Sequence, residues 1–165
     1  MTILAPDIHA IKALAKKANL NEIHFAEPPS REALLTLECD ILQHRKDFEV
    51  RFYGFYRLQC DLSFLQFIPS VSKLVLNCLN GPVDNIDNIG RLQNLTSLTI
   101  GIMQLQNLNF LNELPPILEA LCLEETTSHS LSLKPVLRFA RLRQLYIERH
   151  HKDIAVVGQL PNLEV

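Results

Sequence analysis

The sequence predicts an α/β fold in which short coils stack into a solenoid. Each coil would give one strand to a parallel sheet and one short return to the opposite side. Three observations support this prediction. Leucine is unusually frequent, with 30 copies in 165 residues. A pattern of apolar-x-x-apolar-x-apolar recurs at a nearly constant spacing, and the segments leading into it carry an apolar residue at every third position.

The recurring pattern marks the strands. In RLQNLTSLTI, residues 91–100, strand alternation directs Leu98 and Ile100 to the core and Ser97 and Thr99 outward. Self-similarity at a period of 21 to 24 residues is typical of repeat proteins, because stacked coils bury the apolar edges that one coil leaves exposed. Five of the six steps fall in that range and the first is 30; the copies begin at Leu20, Val50, Val71, Leu95, Leu118, Leu142 and Leu163.

The returns between the strands are predicted to be 3₁₀-like or short helical turns. Ile86, Ile89, Leu92 and Leu95 show the strict period of three that suits such turns better than a long amphipathic helix. The same spacing precedes the patterns at Val71 and Leu163, so a similar return is expected in each regular coil.

Residues 1–26 are predicted to form a helix and a first coil that caps the solenoid. Pro6 and Asp7 favour a helix start, so the helix is expected over Pro6–Ala18 and a strand over Leu20–Ala26. A cap is needed because an end coil has only one neighbour.

Residues 27–49 are predicted to be an irregular insertion. Ser30 suits the N-cap of a helix, whereas the alternation in Leu34–Leu42 suits a strand, and we expect a hairpin-like or irregular structure. Residues 50–165 would then hold the regular repeats, starting at 50, 71, 95, 118, 142 and 163. We expect the last repeat to be incomplete and residues 1–165 to form a single domain.

The repeats resemble those of leucine-rich repeat proteins. The pattern I-x-x-L-x-x-L-x-N-L-x-x-L-x-L in coils of 21–24 residues is most similar to the short-repeat class found in internalins and in regulatory subunits of protein phosphatase 1. The resemblance implies a right-handed, curved solenoid. Its parallel β-sheet would line the concave side, and short 3₁₀, helical or irregular returns would form the convex side. It also implies that a protein partner binds on the concave face.

The candidate binding residues are the side chains that the strands direct to the concave face. Aromatic residues on this face are of the kind that anchor protein interfaces. Alternatively, Phe52 and Tyr56 would pack against residues 27–49. The candidates are Phe52, Tyr56, Lys73, Asn77, Thr99, Glu124, Gln144, Tyr146 and Glu148.

The sequence indicates no catalytic site, no cofactor and no metal. It contains no glycine-rich phosphate loop, no nucleophile elbow and no H-E-x-x-H motif. His150 and His151 are adjacent and cannot share a strand face, so Glu148–Asp153 is expected to be a solvated turn. Cys122 has no basic neighbour in sequence to activate it. The basic stretch Lys134–Lys152 suits either an acidic partner or a solvated convex face.

Composition narrows the class of protein further. A net charge of −2 argues against a general nucleic-acid binder, and no apolar run is long enough for a membrane span. The four cysteines form no Cys-x-x-Cys pair and are expected to be reduced. We therefore expect a cytoplasmic protein, or an effector secreted into a host without a classical signal peptide.

The predicted function is a non-catalytic protein–protein interaction module. Two alternatives are the recognition segment of a larger enzyme or bacterial effector, for example of the ubiquitin-ligase type, and a stand-alone inhibitor or immunity protein. The ending QLPNLEV, residues 159–165, reads as an interrupted repeat. We expect it to indicate either a longer protein or self-association through the open C-terminal edge of the sheet.

Overall fold

The computed structural model describes residues 7–17, 19–54, 59–79, 81–124 and 131–164. In these residues two α-helices are present, α1 (Ile8–Ala15) and α2 (Arg31–Leu37). The strands are β1 (Glu22–Phe25), β2 (Glu49–Tyr53), β3 (Cys60–Asp61), β4 (Lys73–Leu79), β5 (Val83–Asp84), β6 (Ser97–Ile102), β7 (Ala120–Leu123) and β8 (Gln144–Ile147).

The principal sheet confirms the predicted α/β solenoid. Its strand order is β1-β2-β4-β6-β7-β8, and every neighbouring pair is parallel. The strands are in register, so one residue from each aligns across the sheet: Glu22, Glu49, Lys73, Ser97, Ala120 and Gln144. A separate parallel pair joins β3 to β5. Each coil therefore adds one rung to a continuous parallel ladder.

The predicted returns are also present. Five 3₁₀ segments follow the strands on the other side of the core, at Leu62–Phe67, Ile86–Arg91, Asn109–Asn112, Lys134–Arg138 and Ile154–Gln159. Most of the residues that recur at every third position are buried, as in the series Ile89, Leu92 and Leu95, but in the last return Ile154 is 48% exposed and Val156 is buried instead. Burial of each such side chain contributes about 1.5–3 kcal/mol, so the repeated leucines supply most of the driving force for stacking.

The structure corrects the register of the first regular coil. The sequence pattern aligned Val50 with Val71, but Val50 pairs with Leu74, so this coil begins three residues earlier. Phe52 therefore points into the core and is 0% exposed, and its assignment to the concave face was wrong. Its ring stacks on Phe25 with centroids 5.1 Å apart and tilts against Phe64 at 4.6 Å. Aromatic packing fixes the inward position of this strand.

The prediction for residues 27–49 was wrong as well. This segment contains α2 followed by a π-helical turn at Glu38–Leu42, not a hairpin-like or irregular insertion. Ser30 caps the helix, its Oγ accepting a hydrogen bond from the Ala33 backbone N–H at 3.1 Å. The buried face comprises Ala33, Leu34, Leu37, Ile41 and Leu42, which a helix gathers on one side. The segment is the helical return of the first coil.

The N-terminal helix α1 covers the open end of that coil. Asp7 is its N-cap and accepts a hydrogen bond from the Ala10 N–H at 2.8 Å. Ile11 and Leu14 are buried, and α1 packs against α2. The helix thus completes the core behind β1, where no further strand is paired in the described sheet.

Candidate interaction surface on the concave sheet face

The outer face of the sheet is defined here by the side chains that the six paired strands direct away from the core. The corrected register arranges them in three columns. The first holds Glu22, Glu49, Lys73, Ser97, Ala120 and Gln144; the second holds His24, Arg51, Val75, Thr99, Cys122 and Tyr146; the third holds Tyr53, Asn77, Gly101, Glu124 and Glu148.

Most of the predicted site residues lie on this outer face. They are Lys73, Asn77, Thr99, Glu124, Gln144, Tyr146 and Glu148. Phe52 lies in the core instead, and Tyr56 lies outside the described residues. The corrected register adds Glu49, Arg51 and Tyr53, which the sequence interpretation missed. The alternation of the buried residues Phe48, Val50 and Phe52 agrees with this register, but the sequence also fits the frame that begins at Val50.

A hydrogen-bonded network crosses the centre of the outer face. Arg51 Nε donates to Asn77 Oδ1 at 3.1 Å, and Asn77 Nδ2 donates to Glu124 Oε1 at 3.4 Å. The Arg51 guanidinium also lies 5.7 Å above the ring of Tyr53. Asn77 is only 5% exposed, so its amide is held in one orientation by these partners. The centre of the face is therefore polar and ordered before any partner binds.

Cys122 extends this network but is not an activated nucleophile. Its Sγ donates to Glu124 Oε2 at 3.6 Å. Burial first, and then the negative charge of Glu124, raise the pKa of the Cys122 thiol to about 12. The thiol is protonated at neutral pH, whereas nucleophilic cysteines are thiolates. Cys122 thus acts as a weak hydrogen-bond donor in the face.

The C-terminal half of the face contains a shallow depression of about 360 Å³. Thr99, Cys122, Gln144 and Tyr146 line it, together with Glu164 from the following segment. Tyr146 is 57% exposed, whereas the other phenylalanine and tyrosine rings in the described ranges are buried or half-buried. An exposed aromatic beside a depression is the arrangement that protein interfaces use for their energetic anchors.

The N-terminal end of the face brings together residues that could hold a metal ion. Glu22, His24 and Glu49 each offer one ligand atom, and these three atoms lie within 4.8 Å of one another. This group cannot be recognised from the sequence, because Glu49 joins the other two residues only through strand pairing. His150 and His151 belong to no such group among the residues that the structure describes. His150 is 2% exposed, contrary to the expected solvated turn, whereas His151 is exposed.

The basic segment Lys134–Lys152 is tied to neighbouring coils. Arg138 Nη1 donates to the backbone carbonyl of Leu111 at 2.8 Å. Arg143 Nε donates to Glu164 Oε1 at 2.7 Å. These contacts favour a structural role for the arginines over an acidic-partner site. None of the helices in the described ranges combines the length and apolar character that crossing a bilayer requires.

No protein-family model and no curated protein sequence matches the chain. Among solved structures, an internalin from Listeria monocytogenes is similar with a TM-score of 0.58 and 17% sequence identity, over 93% of this chain and 49% of the internalin. The C-terminal domain of tropomodulin from Caenorhabditis elegans aligns with a TM-score of 0.47 and 10% identity, over 94% of this chain and 89% of that domain. The chain thus spans about half the length of the internalin structure. At this identity the internalin likeness concerns the fold alone, and that fold is the curved leucine-rich repeat solenoid.

Proposed function

We propose that the protein is a non-catalytic interaction module that binds a protein partner on the outer face of its sheet. The observation that carries this proposal is the combination of an ordered polar centre with an exposed anchor. The network from Arg51 through Asn77 to Glu124 is already formed, and Tyr146 stands exposed beside it. A preformed surface loses little side-chain entropy on binding, which favours affinity.

The binding site in this proposal lies between β4 and β8. Its aromatic anchor is Tyr146, and the depression lined by Thr99, Cys122 and Gln144 accepts a side chain of the partner. Glu124 and Glu148 place carboxylates at the border of this depression, where they suit donor groups of the partner. The partner is therefore a protein segment that combines an apolar side chain with neighbouring hydrogen-bond donors.

We also propose that the repeats belong to the short-repeat class and that the protein is cytoplasmic. Strand pairing gives starting positions at 20, 47, 71, 95, 118 and 142, so four of the five steps are 23 or 24 residues, which supports the short-repeat class. Cys39, Cys60 and Cys122 are free thiols, which supports a cytoplasmic location.

Affinity capture with quantitative mass spectrometry tests the proposal. The full chain, Tyr146→Ala and Leu137→Ala would be used as baits in parallel. Leu137 is a matched control, because it is an apolar side chain, 40% exposed, on a return rather than on the sheet. Proteins retained by the wild type and by Leu137→Ala but lost with Tyr146→Ala bind at the proposed site. A loss of about 30-fold in affinity is expected for an anchor of this kind.

A double variant makes the test decisive. Tyr146→Ala combined with Glu148→Ala removes both the anchor and one border carboxylate. If every specifically captured protein survives this double change with unaltered affinity, the C-terminal half of the outer face is not the binding site. Circular dichroism of each variant confirms that the fold is retained.

A further inference from the structure

Two carboxylates face each other at the N-terminal end of the outer face. Glu22 on β1 and Glu49 on β2 are register partners, so their side chains project from adjacent strands in the same direction. His24 lies two residues along β1 and therefore projects from the same face. The alignment of β1 with β2 brings the three side chains together.

This pair of carboxylates lacks a neutralising lysine or arginine. Like charges directly opposite on neighbouring strands are destabilising. Among the described residues, no ion pair within 4.0 Å joins either carboxylate to a lysine or an arginine. Lys73 is the register partner of Glu49 on the other side but forms no such pair, and the Arg51 guanidinium is directed to Asn77. Within the described residues, neither a lysine nor an arginine balances the local negative charge.

His24 directs its Nε2 toward the carboxylate of Glu22. Its Nε2 is shielded from solvent and has no hydrogen-bond partner, although it lies 3.5 Å from Glu22 Oε2. The imidazole is held by Tyr53, whose ring meets it edge-on at 5.9 Å. A shielded polar atom without a hydrogen-bond partner costs free energy, and a bound ion is one way to satisfy such an atom.

We propose that Glu22, His24 and Glu49 bind a divalent transition-metal ion of the Zn²⁺ type. One imidazole nitrogen and two carboxylate oxygens are a suitable ligand set for Zn²⁺, which binds both at about 2.0–2.2 Å. Tetrahedral ligands at that radius lie about 3.4 Å apart, and the three atoms here already lie within 4.8 Å. Small side-chain rotations complete the site. The ion balances both carboxylates and gives His24 Nε2 a partner.

The ligand set favours a transition metal, and it leaves one coordination position of the ion open. Ca²⁺ and Mg²⁺ prefer oxygen ligands throughout, whereas an imidazole nitrogen favours a transition metal. Three protein ligands leave the fourth tetrahedral position free, as in sites that accept water or an external ligand. In this chain that position opens onto the outer face of the sheet.

Titration of the metal-free full chain with Zn²⁺ alone tests the proposal. After treatment with a chelator, isothermal titration calorimetry should show one equivalent bound. His24→Gln and Glu49→Gln should each weaken binding by at least about 10-fold, since loss of even a supporting residue costs that much. His44→Gln is the matched control, because His44 is exposed on the turn after the π-helical segment and away from the sheet face; it should leave the affinity unchanged.

A thermal measurement separates a metal ion from a protonated histidine. If a metal balances the carboxylates, Glu49→Gln relieves repulsion and raises the melting temperature of the metal-free protein, while abolishing the increase that Zn²⁺ gives to the wild type. If a protonated His24 balances them instead, Glu49→Gln lowers the melting temperature of the metal-free protein, and that result overturns the proposal. Absence of Zn²⁺ binding, or binding that His24→Gln leaves unchanged, overturns it equally.

Discussion

Asn77 and Glu124 are hydrogen-bonded although their strands are not neighbours. Asn77 lies on β4 and Glu124 follows β7, with β6 between them, yet Asn77 Nδ2 reaches Glu124 Oε1 at 3.4 Å. The intervening strand carries Gly101 at this level, and the absence of a side chain there leaves room for the two to meet. One glycine therefore allows a polar contact across three coils of the outer face.

Replacement of Asn77 by alanine should destabilise the fold. The change removes the acceptor of Arg51 and a donor to Glu124 from a site that is 5% exposed. We expect a loss of about 1–3 kcal/mol in the free energy of unfolding, because the half-buried Arg51 and Glu124 lose a hydrogen-bond partner. Urea denaturation measures it. Gln144→Ala, an exposed change on the same face, should stay within about 0.5 kcal/mol. Equal midpoints for the two variants would contradict the assigned network.

Gly90 should not tolerate alanine. A Cβ at Gly90 would overlap with the Cβ of Glu113 on the next return, so the two coils must separate. Overpacking of this kind costs about 1–3 kcal/mol. Gly158 is a matched control: it also lies in a 3₁₀ return, but a Cβ there meets nothing within 4 Å. Thermal unfolding should show a lower midpoint for Gly90→Ala only. A midpoint equal to that of Gly158→Ala would contradict the close packing of the returns.

Cys122 should react slowly with iodoacetamide. Its pKa of about 12 leaves almost no thiolate at pH 8, whereas Cys39 is exposed and should be labelled first. Glu124→Gln removes a negative charge that raises this pKa, so labelling of Cys122 should accelerate several-fold, while Glu119→Gln should leave it unchanged. Peptide mass spectrometry over time measures both rates. Labelling of Cys122 as fast as that of Cys39 would show that the thiol is not held by the network.

Cys122 should also make the fold sensitive to alkali. The unfolded thiol has the ordinary pKa of 9.0, and the folded thiol one of about 12, so above pH 9 the unfolded state binds fewer protons than the folded state. Stability is therefore fully present below about pH 9 and falls as pH rises toward 12. Cys122→Ser removes this contribution, so its urea midpoint should fall less between pH 8 and 10.5 than that of the wild type. Parallel curves for the two proteins would contradict the shifted pKa.

Strands β4, β6, β7 and β8 could be predicted from the sequence, because each contains one apolar frame, whereas the short pair of β3 and β5 was not predicted. The copies at Val71, Leu95, Leu118 and Leu142 match the observed register. The register of the first regular coil was predicted wrongly because EVRFYGF, residues 49–55, admits two frames. Only packing distinguishes them, since Phe52 is chosen for the core by its stacking on Phe25. Local pattern cannot rank two frames whose difference lies in contacts between coils.

The helix α2 was missed for a related reason. Leu34–Leu42 satisfies both a period of two and a helical period, and the N-cap at Ser30 is the local feature that favours the helix. The cluster of Glu22, His24 and Glu49 could not be predicted from the sequence at all. Glu22 and Glu49 are brought together by pairing of β1 with β2, and a single misplaced frame moves Glu49 off the outer face.

The in-register ladder also gives the outer face a fixed length scale. Six strands spaced about 4.8 Å apart span about 24 Å from Glu22 to Gln144. An α-helix laid across them advances about 5.4 Å per turn, so it would meet nearly one turn per strand over about 16 residues. An extended peptide in the same direction presents one side chain to the face about every 6.8 Å and falls out of step after a few residues. The spacing of the strands therefore matches the pitch of an α-helix more closely than the side-chain spacing of an extended peptide.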